Sequence, residues 1–229
     1  MLLSLKQLIG RLRFQHLALL MTIELFLLGI AFPDATNLIG DALLFFLLAP
    51  LQFFNRYLGL KLSGESRRVI TIYRHIFTVI LLVWLLLRLL PEAFGLGRGI
   101  NVMIYAALAL ISGIVLMRIV YKIWTIRSIH SDVLFGIIIC YATVIVMGCE
   151  LHAINHQLHP GAYNFLPEMK HHSQLLFLSM GSTTTLGGPI TVNTTTAQLI
   201  NYFQSYVSQV FLVVFVSRMI GLHTGSNKG

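Results

Sequence analysis

Charge is what this sequence has least of. Of its 229 residues only 10% are Asp, Glu, Lys or Arg, while 56% are hydrophobic. No soluble core needs so much apolar surface, so the composition excludes a soluble domain and points to an integral membrane protein. Acidic residues are the scarcer sign, 8 against 16 basic, which leaves a formal net charge of +8. That excess does not mark a nucleic-acid binder. The basic residues sit in short connections between apolar runs, where membrane topology accounts for them. Cysteine is almost missing, with only Cys140 and Cys149. At about 1.5 Å of rise per residue along one expected helix they stand too far apart to bridge each other, and they read as packing thiols. There is no linker, low-complexity stretch or internal repeat. No small-residue cleavage site follows the first apolar region, so a signal peptide is not expected. About six residues follow His223, so no soluble ligand-binding domain is expected after it.

What the chain does have is apolar runs. Six of them, near 14–32, 38–54, 69–90, 99–121, 132–153 and 197–222, come close to the roughly 20 residues that a bilayer crossing needs. A seventh, 171–180, is too short to cross. Ahead of them all, residues 1–13 set Lys6, Arg11 and Arg13 among leucines, an interfacial amphipathic pattern expected to lie on the inner membrane surface. The connections support the count. Arg56, Lys61, Arg67 and Arg68 fall in the second, Arg118, Lys122 and Arg127 at the fourth, and Arg218 and Lys228 at the C-terminal end. The first carries only Asp34 and Asp41, the third Glu92 and Arg98, and the end of the fifth run with the region after it Glu150, Glu168 and Lys170, whose plain reading is a solvated rim. Basic residues therefore alternate by side, which places both termini in the cytoplasm.

The short run leads into Ser179-Met-Gly-Ser-Thr-Thr-Thr-Leu-Gly-Gly-Pro-Ile190, a hydroxyl-rich stretch that cannot itself be helical. Non-helical backbone at membrane depth survives only where protein buries it or water lines it. Helix, short re-entrant helix, extended polar loop and helix is the layout of a pore unit. Such a loop can turn a row of carbonyls and a hydroxyl toward a passing ion.

Thr184-Thr185-Leu186-Gly187, followed by Gly188-Pro189-Ile190, resembles the filter Thr-Thr-Leu-Gly-Tyr-Gly-Asp-Ile of the potassium-channel pore superfamily. Leu175-Leu-Phe-Leu-Ser-Met180 resembles the pore helix of a bacterial branch, and Ser208-Gln-Val-Phe-Leu-Val-Val-Phe-Val-Ser-Arg-Met-Ile-Gly-Leu-His223 its inner helix. The likeness covers roughly residues 131–223. It implies an all-α membrane protein of six transmembrane helices plus one re-entrant pore helix and filter loop, a voltage-gated-like channel architecture without a charged sensor, assembled as a homotetramer. Residues 1–130 would form an N-terminal four-helix membrane domain and 131–229 the pore domain. The implied filter is Thr184, Thr185, Leu186, Gly187, Gly188 and Pro189, with Thr185 offering a hydroxyl and Leu186 and Gly187 carbonyls. Gln204, Ser208 and Gln209 are the inner-helix gating or lining candidates. Gln204 stands where the family has glutamate, and Ser208 where it has a hinge-forming glycine. The bracing aromatic is absent, Pro189 replaces an aspartate, and the loop is one residue shorter. The expected function is a weakly selective monovalent-cation channel, K+ or Na+, with no cofactor, in the bacterial inner membrane among its lipids. A non-conducting or regulatory homologue is the alternative within that class.

Other constellations were weighed against this one. A voltage sensor needs arginines at every third position inside a span, yet the fourth run is uncharged from Ile100 to Met117. Glu24, Arg74 and Arg88 are the intramembrane charges; the arginines can snorkel outward to either side, and Glu24 calls for a partner. His152, His156, His159, His171 and His172 gather on the outer side. His152 and His156, four apart on one helical face, are weak metal candidates or pH sensors, with a polar helix end as the plainer reading. From a different class, a haem-binding redox protein would draw its ligands from His16, His75, His130 and His152; it leaves the Thr-Leu-Gly-Gly stretch unexplained.

Overall fold

A segment whose side chains are nearly all apolar has only its own backbone to satisfy its N–H and C=O groups in lipid, and a helix does so internally. The apolar runs take that form. The computed structural model describes residues 16–23, 97–125, 131–167, 171–188 and 190–226, with scattered positions between 66 and 79. Among the described residues α1 spans Gly97–Thr125, α2 Ser131–Leu158, α3 His171–Thr184 and α4 Thr195–Ser226, and residues 16–23 are helical too. Three stretches, Asn101–Thr125, Val133–Leu158 and Thr195–Gly221, are long and apolar enough to cross a membrane. The chain is thus mostly helical and has the character of a membrane protein. Each of these helices overruns its expected span; in α1 the polar and aromatic residues at the end, such as Tyr121, Lys122 and Trp124, continue the helix without a Gly or Pro to stop it.

The expected crossing over 38–54 lies outside the described residues, as do most of 14–32 and 69–90. Glu24, Arg74, Arg88, His130, Glu168, Lys170 and Pro189 lie outside them as well, and so does the 126–130 stretch where the two domains were divided.

One feature is added to the helical expectation. The fold is not wholly helical, because Tyr163–Asn164 (β1) and Thr191–Val192 (β2) pair antiparallel, Tyr163 opposite Val192 and Asn164 opposite Thr191. Pro160 and Gly161 follow the end of α2 and break it. The chain entering α3 and the chain leaving it then run in opposite directions with aromatic and β-branched residues, which suit a short ladder.

Two cores follow from this arrangement. One is formed by α1, α2 and residues 16–23 with Phe215 of α4, centred on Leu17, Ile119, Ile123 and Ile139. The other wraps α3, where Leu175, Leu176 and Leu178 meet Ile145, Cys149 and Ala197. Cys140 and Cys149 are buried free thiols, as their spacing implied. Gly113 and Ser112 face α2: Ser112 is buried, and Gly113 leaves room for the Met147 sulfur. At its far end α4 is tied to α1, where Arg218 lies 4.5 Å over the Trp124 ring and donates from Nη2 to the Trp124 carbonyl. One side of α4 packs on α2 and α3 through Ala197, Gln204 and Ser208, and the other is bare, with Leu199, Tyr202, Phe203, Tyr206 and Val213 all exposed.

Candidate functional site

The short helix sits at the centre of the site. α3 has 14 residues, about 21 Å of rise, against a hydrocarbon thickness of about 30 Å. Its hydroxyls and amides are buried rather than solvated, including Ser173, Gln174, Ser179, Ser182 and Thr183. Polar groups so placed need partners, and the two long helices beside α3 supply them. Ser179 Oγ donates to the Ile145 carbonyl of α2 at 2.6 Å. From α4, Gln204 Nε2 donates to Ser179 O at 3.0 Å, Ser179 Oγ at 2.6 Å and Thr183 Oγ1 at 2.7 Å. Ser182 Oγ is bonded to Asn201 Oδ1. At the other end of α3, the Gln174 amide grips the incoming chain twice, accepting from Leu166 N and donating to Leu166 O, each at 2.7 Å.

The C-terminus of α3 is closed by donors from three directions. A helix leaves its last four carbonyls without intrahelical partners. Here Gly181 O accepts from Gly187 N at 3.3 Å, and Ser182 O from Ser205 Oγ at 2.8 Å. Thr183 O accepts from the Tyr141 hydroxyl at 2.6 Å, and Thr184 O from Thr185 Oγ1 at 2.6 Å. The negative end of the helix dipole is therefore met by neutral donors of α2, α4 and the loop itself.

Beyond α3, residues 185–188 are exposed, Leu186 to 86%. Thr185 (φ 60°) and Gly187 (φ 79°) adopt left-handed backbone. Glycine does so freely, whereas a β-branched residue there is strained. The loop folds back on the helix that precedes it. A Cβ on Gly181 would overlap the Gly187 carbonyl oxygen, and one on Gly188 would stand 3.2 Å from the Leu178 Cα. The Gly187 carbonyl thus lies against α3. Thr184 Oγ1 donates to Met180 O at 2.7 Å, so the hydroxyl protons of both Thr184 and Thr185 go to nearby backbone.

Of the inner-helix candidates, Gln204 and Ser208 are buried and Gln209 is exposed. Ser208 Oγ donates to the Gln204 carbonyl at 2.8 Å. Gly148 of α2 is what admits Gln204, since a Cβ there would overlap the side-chain amide. Behind that amide stands His152, fully buried. Its Nδ1 is 2.9 Å from the Tyr163 hydroxyl, and Asn155 Nδ2 donates to the same hydroxyl at 3.1 Å. Gly148 and His152 are one turn apart on α2, which sets the Gln204 amide beside the ring, yet His152 Nε2 and Gln204 Oε1 are both buried without a hydrogen-bond partner meeting distance and angle.

Two readings of the outer side are corrected here. His152 is not at a polar helix end, because α2 runs on to Leu158 and β1 folds over it. For the same reason Glu150 is not on a solvated rim: it is buried and accepts from Ser112 Oγ of α1 at 3.0 Å. His156, His171 and His172 make aromatic contacts, whereas His159 is exposed. His171 stacks on Phe165 with centroids 4.1 Å apart, His156 stands edge-on to both, and His172 lies 6.3 Å from Tyr105. Burial pushes the Tyr163 hydroxyl up to about 12, with the Asn155 hydrogen bond opposing and Cys149 adding slightly. Among the described residues no three of His, Cys, Asp and Glu converge as a metal site. His16 and His75 are exposed while His152 is buried.

No family model, curated protein or solved structure matches this chain. Sequence reasoning missed Tyr141, Asn155, Tyr163, Gln174 and Ser205. The available signal was polar side chains inside or beside apolar spans, which in a membrane seek partners on neighbouring helices.

Proposed function

We propose that the chain is one quarter of a tetrameric cation pore, with residues 185–190 as its narrowest part. The observation that carries this reading is a helix too short to cross a bilayer, wedged between two long ones, and continuing into an exposed Thr-Leu-Gly-Gly loop. Backbone of that kind at membrane depth is tolerated where it lines water, and a single such loop per chain requires symmetric copies to enclose a path. Six crossings, cytoplasmic termini and a bacterial inner-membrane location complete the proposal, on the strength of the alternating basic connections.

Weak discrimination between monovalent cations follows from the loop itself. The Gly187 carbonyl is turned onto α3, and the Thr184 carbonyl is taken by the Thr185 hydroxyl. Fewer oxygens are left to replace an ion's hydration shell than a full queue of sites would offer. The same features favour one second reading, a homologue whose loop does not conduct. Cation flux from liposomes loaded with potassium and diluted into sodium separates the two. The channel reading expects flux that depends on protein and falls when Gly181 is replaced; tight liposomes at all protein densities would leave the non-conducting reading.

A further inference from the structure

The polar contacts behind α3 end on two buried atoms that lack partners, His152 Nε2 and Gln204 Oε1, and the Gln204 amide packs on Gly148, one turn of α2 before His152. Their neighbours settle which is donor and which acceptor. Asn155 Nδ2 donates to the Tyr163 oxygen, so the Tyr163 proton is free to go to His152 Nδ1, 2.9 Å away. That makes Nδ1 an acceptor and leaves the ring proton on Nε2. On the other side, Gln204 Nε2 is fixed by three oxygens, and the Ser179 hydroxyl among them spends its own proton on Ile145 O. The amide therefore cannot flip without setting its oxygen against acceptors, and Oε1 must point at the ring. A donor faces an acceptor in a site where either one alone is unfavourably buried.

We propose that His152 is a positioning residue for the loop: its Nε2–H hydrogen-bonds Gln204 Oε1, closing a buried relay from Asn155 and Tyr163 through His152 and Gln204 to Ser179 and Thr183. The relay ties the outer β1–β2 pair to the last turn of α3, one residue before Thr184 and the exposed loop. Because Gln204 is admitted by the absence of a Cβ at Gly148, α2, α3 and α4 are registered against each other at this one point. The hydrogen bond rests on the two orphaned buried atoms and on the donor and acceptor roles their neighbours fix; its consequence for ion discrimination rests on the cation-pore reading.

Two measurements on the full chain in lipid nanodiscs and bilayers decide the matter. With 15N-labelled histidine, and the His152 signal identified by its loss in His152→Phe, the ring is expected to carry its proton on Nε2 and to shift when Gln204 becomes Met. A proton on Nδ1, or a signal indifferent to Gln204→Met, would overturn the relay. In bilayers, His152→Phe and Gln204→Met should each change the sodium-to-potassium permeability ratio by about twofold, with the double variant no further displaced than either single one. His152→Gln, which keeps an amide donor toward Gln204, is expected to retain the wild-type ratio. Additive single effects, an unchanged ratio in both variants, or a His152→Gln ratio as displaced as that of His152→Phe would overturn the positioning role. Wild-type protein without any flux would sink the channel reading, and the nitrogen signal would still decide the relay.

Discussion

Gly181 carries a demand that its place inside a helix conceals. Glycine costs a helix interior roughly 1 kcal/mol relative to alanine, yet here it lets the Gly187 carbonyl lie against α3. Gly181→Ala should therefore destabilise the protein by about 1–3 kcal/mol despite the better propensity, since backbone rather than a pliable side chain must give way. Gly221 of α4 has nothing within 4 Å of a Cβ, so Gly221→Ala should be neutral or mildly stabilising. Thermal unfolding in detergent compares the two, and equal behaviour would contradict the close approach. At this scale the sequence was only half legible. The run from Thr184 to Gly188 stood out by composition, but that the hydroxyl protons of Thr184 and Thr185 cap nearby carbonyls depends on backbone angles that residue types do not dictate.

At the scale of elements the apolar runs announced α1, α2 and α4, because length and hydrophobicity alone decide a crossing. The short run announced α3, but α3 runs on to Thr184, so residues 179–184 are helical where the hydroxyl-rich stretch was expected not to be. The clasp around α3 was not legible. Its bonds join residues 34 to 42 positions apart in the case of Ser179 with Ile145 and Thr183 with Tyr141, and periodicity carries no such pairing. Nor was the β1–β2 pair, two residues long, whose folding over α2 buries His152 and Tyr163. That burial has a pH signature. The Tyr163 hydroxyl titrates near 12 in the fold rather than at its ordinary 10.0, so above pH 10 the native state retains a proton that the unfolded chain releases. Stability from this group is full below pH 10 and declines as pH rises toward 12, by roughly 1 kcal/mol per unit. Unfolding followed from pH 8 to 12 should show that decline in the wild type and a shallower one in Tyr163→Phe. Identical slopes would place the hydroxyl in water.

For the molecule as a whole, the bare side of α4 is the largest fact left over. Leu199, Tyr202, Phe203 and Tyr206 cluster on two turns close to the exposed loop, where lipid or another copy must cover them. Under the proposed symmetry, copies of the chain meet around the axis beside this helix. Native mass spectrometry from detergent should then give four times the chain mass of 25.7 kDa, and a stable monomer or dimer would contradict the assembly. The basic connections and the count of apolar runs made the membrane character plain. Symmetry has no local sequence signal beyond the single loop per chain, and it enters only through what that loop needs in order to function.

The central claim is that this loop conducts cations and sorts them poorly. Reversal potential in a planar bilayer, with sodium on one side and potassium on the other, tests it most directly. A loop with its Gly187 carbonyl against α3 and its Thr184 carbonyl taken by the Thr185 hydroxyl should pass both ions, so the current should reverse close to zero. Reversal near the potassium equilibrium value would contradict the account, since it would require a full set of discriminating sites in Thr185-Leu-Gly-Gly188.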